Sequence, residues 1–301
     1  MAGFFKLFDY TKPGPGVPKD QPPKNGILVF FEVLQRKFWD IIKLNILYNL
    51  FNLPALLMMF LGLQLMFPYV ILDNLESDLF IRIFFGAVFL CIPTICIGPA
   101  QAGMTYVLRN YSREEHAFIW GDFKEHSLSN IKQSMLLCLI DFFFFLLFSV
   151  AINFYSEMIN VYNWAFAAYA IILLVFIFFL MTHLFLYPML VTFRLTLTQL
   201  YKNALIFSVL RFIPNLGILL VNIVFLLLTF IFPAVGILLY LLISPALLGL
   251  VNTSYSYRVL KKYMMKQTTE QQESDESQED GELKHAVVPP KHNELQADND
   301  N

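Results

Sequence analysis

Long apolar runs separated by short polar stretches dominate this chain. Residues 41–67, 79–98, 135–155 and 164–187 are each long enough, with few enough charges, to form a helix across a hydrocarbon layer about 30 Å thick. A fifth run, 216–251, has 36 residues. As one helix it would reach roughly 54 Å, far more than a bilayer core needs. Pro233 supplies a turn, which divides the run into spans at 216–232 and 234–251. Between the runs the pattern becomes amphipathic. Residues 30–40 mix Phe30, Phe31, Leu34 and Phe38 with Glu32, Arg36 and Lys37, as an interfacial helix would. Residues 192–211 carry Arg194, Lys202 and Arg211 on an otherwise apolar helical repeat. In 106–132, Ser112-Arg113-Glu114-Glu115 fits a capping box ahead of Ala117, Phe118, Ile119 and Trp120. That spacing predicts a short surface helix with an aromatic face.

The predicted fold is all-α: a polytopic membrane helix bundle of about six transmembrane helices, arranged as three hairpins with cytoplasmic amphipathic helices. Composition agrees. Hydrophobic types make up 57% of the 301 residues and charged types 15%, against about a quarter in soluble domains. Lipid is the solvent that such a surface needs, and the continuous runs exclude the alternating strands of a barrel. Residues 1–40 divide into a Pro- and Gly-rich extended arm and the interfacial helix, 41–265 form the transmembrane domain, and 266–301 read as a disordered acidic tail. No apolar signal segment occupies the first 26 residues. Cys91, Cys96 and Cys138 lie in apolar runs without C-x-x-C spacing, which gives neither a redox pair nor a zinc site.

Charge orients the bundle. Up to Lys266 there are 19 Lys and Arg against 13 Asp and Glu, a balance of +6; beyond it two lysines meet ten acids, a balance of −8. The connections 68–80 and 156–163 carry acids but no Lys or Arg. The basic residues gather on the other side, with Arg82 as the exception. By the positive-inside rule both termini are cytoplasmic and the protein belongs in the cell membrane, multi-pass.

Polar residues inside the spans are the candidates for function. Asp141, some two turns into the third span, is either an ion or proton site or a structural hydrogen-bonding group. His183, in the fourth span, is at a similar depth and able to pair with it. Asn45, Asn49 and Asn52 recur on one face of the first span, and Asn222 in the fifth is a further partner. These amides act as glue between helices or as a solute-binding seam. On the cytoplasmic side Arg109, Arg113, Glu115 and Trp120 form a candidate docking surface. Pro99-Ala100-Gln101-Ala102-Gly103 and Pro245-Ala246-Leu247-Leu248-Gly249 repeat a P-A-x-x-G pattern at the cytoplasmic ends of two spans, where small residues let backbones approach.

Other chemistries find no support. The chain lacks a P-loop, G-x-S-x-G, H-E-x-x-H and G-x-G-x-x-G. Glu115, His116 and His126 match no metal-ligand spacing, no cofactor is indicated, and the scattered basic residues do not form a nucleic-acid surface. A lipid-modifying enzyme would need converging polar residues that the pattern does not assemble.

The arm Tyr10-Thr11-Lys12-Pro13-Gly14-Pro15-Gly16-Val17-Pro18-Lys19-Asp20, the segment from Phe30 to Trp39, Leu44-Asn45, Gly98-Pro99-Ala100 and the run Arg109-Asn110-Tyr111-Ser112-Arg113-Glu114-Glu115 together resemble the YesL-like family of bacterial multi-pass membrane proteins, over roughly residues 10–260. The acidic tail has no counterpart in that resemblance. The family is a domain of unknown function whose members are often encoded beside carbohydrate-uptake and sugar-degradation genes in Gram-positive bacteria. The resemblance implies a helper role in sugar import, with a sugar-transporter permease as partner beside the lipid bilayer, and carries over no catalytic residue. Two function classes follow. One is a non-enzymatic accessory or regulatory component associated with carbohydrate uptake. The other is a small membrane transporter or channel with a polar seam that includes Asp141 and Asn45.

Overall fold

The computed structural model describes residues 26–66, 75–231 and 233–265, and among these every regular element is helical. The proline-rich arm, the acidic tail and residues 67–74, which include Asp73, lie outside the described residues. In chain order the helices are α1 (Gly26–Arg36), α2 (Phe38–Phe51), α3 (Leu53–Met66), α4 (Leu75–Ser112), α5 (Ile119–Ser129), α6 (Ile131–Met158), α7 (Asn163–Leu190), α8 (Leu197–Leu210), α9 (Phe212–Ile231), α10 (Pro233–Leu242) and α11 (Ser244–Leu260), which ends in a π turn, Lys261–Met265.

Helices α6 and α7 are each long and apolar enough to cross a membrane. Two bent pairs, α8 with α9 and α10 with α11, pass the same test when each pair is taken as one span, so the described residues hold two to four such candidates. The burial pattern explains where lipid would go. In the most apolar stretch of α6 only 6% of residues are buried, so its phenylalanines and leucines face outward. Exposed apolar area on this scale is compatible with a membrane protein.

The buried core lies at one end of the bundle. Met104, Leu108 and Tyr111 of α4 pack with Ile41 and Leu44 of α2, Phe123 of α5 and Leu250 of α11. A second cluster joins Leu137 of α6, Phe185 and Met189 of α7, Leu200 and Phe207 of α8, and Leu260 of α11. Helices α4 and α11 cross the middle of this end and touch one another and α2 and α7.

Four sequence expectations change. Ser112 does not cap a new helix; it is the last residue of α4, and its hydroxyl donates to the Arg109 carbonyl. Helix α5 begins seven residues later, after the left-handed turn residue Glu114 (φ 60°), with Asp122 accepting from the Phe118 N–H. The capping box is instead at Thr196, whose hydroxyl accepts from the Gln199 N–H while the Gln199 side chain accepts from the Thr196 N–H. Pro99-Ala100 does not close a helix either, since α4 continues through Pro93 and Pro99 to Ser112. Finally, two of the expected straight runs are interrupted: 41–67 at Asn52 and 234–251 at Ile243. Pro245 therefore opens a helix, at a position where its missing N–H costs nothing.

Candidate functional site

Three helices bring one polar cluster together. Asp141 projects from α6, His183 from the last third of α7 and Tyr201 from α8. His183 Nε2 is 2.9 Å from Asp141 Oδ1, and the Tyr201 hydroxyl donates to the same oxygen at 2.8 Å. His183 Nδ1 lies 2.8 Å from the Phe179 carbonyl oxygen. A carbonyl only accepts, so Nδ1 carries a hydrogen. An imidazole and a tyrosine hydroxyl on one carboxyl oxygen offset the cost of placing that polar group in an apolar helix. The Asp141 and His183 side chains are 19% and 29% exposed, and Phe179 packs its ring edge-on at 4.5 Å from the imidazole. The cluster ties three helices to one oxygen atom.

The asparagines of α2 do different work. Pro245 has no N–H to give Leu241, so the break at Ile243 leaves carbonyls without intrahelical partners. The Asn45 amide donates to the carbonyls of Tyr240 (3.0 Å) and Leu241 (2.9 Å), and its oxygen accepts from the Ala246 N–H (2.9 Å). Asn49 donates to the same two carbonyls at 3.3 and 3.0 Å. Asn52, at the break between α2 and α3, donates to the Tyr48 carbonyl. Asn222 donates to Asn252 Oδ1 at 2.7 Å, joining α9 to α11. The break between α8 and α9, bent by 99°, is held in the same way. Buried Asn215 donates to the carbonyls of Phe207 and Ser208 and accepts from the Tyr255 hydroxyl. Asp141 and Asn45 thus have separate partners, α7 and α8 for the first and α10 and α11 for the second.

At the packed end, Arg109 is buried rather than on a docking surface. It donates to the carbonyl of Val191, which follows the end of α7, and to Thr192, and holds Asn110 through its other nitrogens. Cations suit a helix C-terminus, where carbonyls are unpaired. Its guanidinium also lies 4.2 Å from the Tyr106 ring, on which His126 stacks at 3.3 Å. Arg113 and Glu115 pair at 2.9 Å and largely cancel. Trp120, in contrast, is 57% exposed. Phe118, just before α5, and Leu128 within it are exposed as well. Among the described residues no group of three or more His, Cys, Asp or Glu side chains is placed to hold a metal ion.

Burial pushes the His126 imidazole below its ordinary value of 6.5; Arg109 acts in the same direction, while Glu125 and Asp122 oppose it. The neutral ring is thus the form that the fold prefers. Its contribution to stability is complete above about pH 6.5 and is lost as pH falls through the depressed value. The thermal midpoint of the purified protein is expected to drop on acidification below pH 6.5. His126→Gln should flatten that part of the curve, and identical slopes for the two proteins would contradict the assignment.

Sequence reasoning missed Tyr201, Asn215 and Asn252. Asn215 follows Pro214, a helix-start signal that points to the break it caps. Tyr201 has no such signal, because its partner is 60 positions away.

Residues 41–154 match the model of a family described as protein of unknown function, DUF624. The matching stretch contains Asn45, Asn49, Asn52, Arg109, Trp120 and Asp141, but neither His183 nor Tyr201. No curated protein and no solved structure matches the chain.

Proposed function

We propose that this chain is a multi-pass cell-membrane protein of about six spans that acts as a non-enzymatic accessory or regulatory component of a membrane assembly. Carbohydrate uptake is the assembly to which the YesL-like resemblance points, with a sugar permease as partner. The observation that carries the reading is the contrast between the two regions. Inside the apolar part, Asp141, His183, Asn45 and Asn222 each bond to a neighbouring helix. At the packed end, α5 leaves Trp120 and Leu128 uncovered, and Lys124 lines the same shallow pocket. An uncovered tryptophan is a common anchor of protein contacts. The charge asymmetry of the connections supports a cytoplasmic position for this end and for both termini.

A photo-cross-linking residue placed at Trp120 in the native host tests the reading. A permease subunit as the main adduct, lost when the cross-linker is moved to Asn160 at the far end, is the expected result. A chain recovered without adducts, with sugar uptake unchanged in its absence, would overturn it. The alternative of a small transporter with a seam from Asp141 to Asn45 is weaker, because the two residues are engaged at different helix junctions.

A further inference from the structure

Helices α6, α7 and α8 enclose an open groove of about 520 Å³. Its walls are Phe144 and Phe148 of α6, Val175, Phe178 and Phe179 of α7, and Leu205 of α8. The rings brace one another, with Phe144 and Phe148 centred 5.8 and 5.3 Å from Phe179, so the walls are formed before anything binds. Along α7 the groove runs from Thr182 to Val175, roughly 10 Å at the rise of an α-helix. One edge is polar. Thr198 and Lys202, one turn apart on α8, line it together with Tyr201.

We infer that this groove binds one anionic phospholipid from the leaflet in which α8 lies, with an acyl chain against the phenylalanines and the phosphate at Thr198 and Lys202. Three observations select this occupant. The groove opens outward between helices whose neighbouring surfaces are exposed and apolar, so its surroundings are hydrocarbon rather than water. Lys202 is the one charged side chain among the lining residues; it is exposed, and no acid pairs with it among the described residues. Asp141, bonded to Tyr201, is not among the lining residues and is paired with His183 rather than with Lys202. Thr198 is also in the first turn of α8, where the free N–H groups and the helix dipole favour an anion. A ligand with a hydrocarbon tail and a negative head satisfies both ends; a zwitterionic lipid would bring its own ammonium toward Lys202.

Such a lipid would tie membrane charge to the position of α8, and through Tyr201 to the Asp141–His183 pair. The inference rests on the membrane reading and is independent of the accessory role, so a missing permease adduct leaves it standing.

Native mass spectrometry of the full chain, released from detergent after exchange into matched dioleoyl lipids, tests it. One retained phosphatidylglycerol per chain is expected, preferred over phosphatidylcholine by about fivefold, the scale of one lysine beside an anionic headgroup. Lys202→Gln should bring the two lipids to parity. Leu205→Trp, which fills the groove from an exposed position, should remove the retained lipid of either kind. Lys132→Gln, a basic change outside the groove, should leave the preference intact. Equal retention of both lipids by the unmodified chain would overturn the inference. So would a preference that survives Lys202→Gln, or retained phosphatidylglycerol displaced by millimolar inorganic phosphate, which would mark a simple phosphate site. Binding of a second chain in place of lipid would appear as a dimer mass and would also contradict it.

Discussion

Asn45→Ala is expected to lower the stability of the purified protein by about 2–4 kcal/mol, the range for stranding a buried backbone donor and weakening the cover of two acceptors. Asn45 is wholly buried, and its amide serves three backbone groups at the junction of α10 and α11. Alanine leaves the Ala246 N–H without that acceptor. The carbonyls of Tyr240 and Leu241 retain Asn49, one of them at a longer 3.3 Å. Asn49→Ala should therefore cost less than Asn45→Ala. Adding Pro245→Ala to Asn45→Ala restores an N–H able to reach the Leu241 carbonyl, and should recover part of the loss. Thermal unfolding in detergent reads the series; at the usual sensitivity for a chain of this size the Asn45→Ala midpoint falls by about 3–6 °C. An unchanged midpoint for Asn45→Ala would mean that the break does not depend on this side chain.

Gly98→Ala is expected to be costly for a steric reason. A Cβ on Gly98 would overlap the Ser134 carbonyl, with the carbonyl carbon at 2.7 Å and the Met135 nitrogen at 3.1 Å. These are backbone atoms of α6 and have no rotamer to move into. The helices must separate, at about 3 kcal/mol for overpacking of this kind. Gly217→Ala is the comparison. A Cβ there meets nothing within 4 Å, so the change should be neutral or gain up to about 1 kcal/mol from helix propensity. Equal midpoints for the two variants would show that α4 and α6 are not packed as described.

Periodicity made most of the helices legible, because long apolar runs admit few other structures in lipid. The expected ranges 135–155 and 164–187 fall within α6 and α7, and 216–232 overlaps α9. Pro233 opens α10, and the close approach expected of the small residues near Pro99 is realised at Gly98 and Gly103. What could not be read was which prolines break a helix. Pro93 and Pro99 lie inside α4, while Pro245 sits beside a break. The difference lies in tertiary partners: the carbonyls freed near Pro245 face two asparagines of α2, about 195 positions away in the chain. Arg109 was misjudged for a related reason. A basic residue after an apolar run reads as a solvated flank, whereas its guanidinium is occupied by the end of α7. For the candidate site, Asp141 and His183 stood out because ionisable residues are rare in apolar runs, and their depths matched. Tyr201 did not, since tyrosine is ordinary on an amphipathic helix.

In the proposed arrangement α6 and α7 form a membrane hairpin whose packed end faces the cytoplasm. Impermeant thiol labelling of single cysteines in intact cells tests this directly. Asn160→Cys, in the turn between α6 and α7, should label from outside, and Ser129→Cys, at the end of α5, only after the cells are opened. Labelling of Ser129→Cys in intact cells with Asn160→Cys protected would invert the bundle, and recovery of the chain in the soluble fraction would remove its premise.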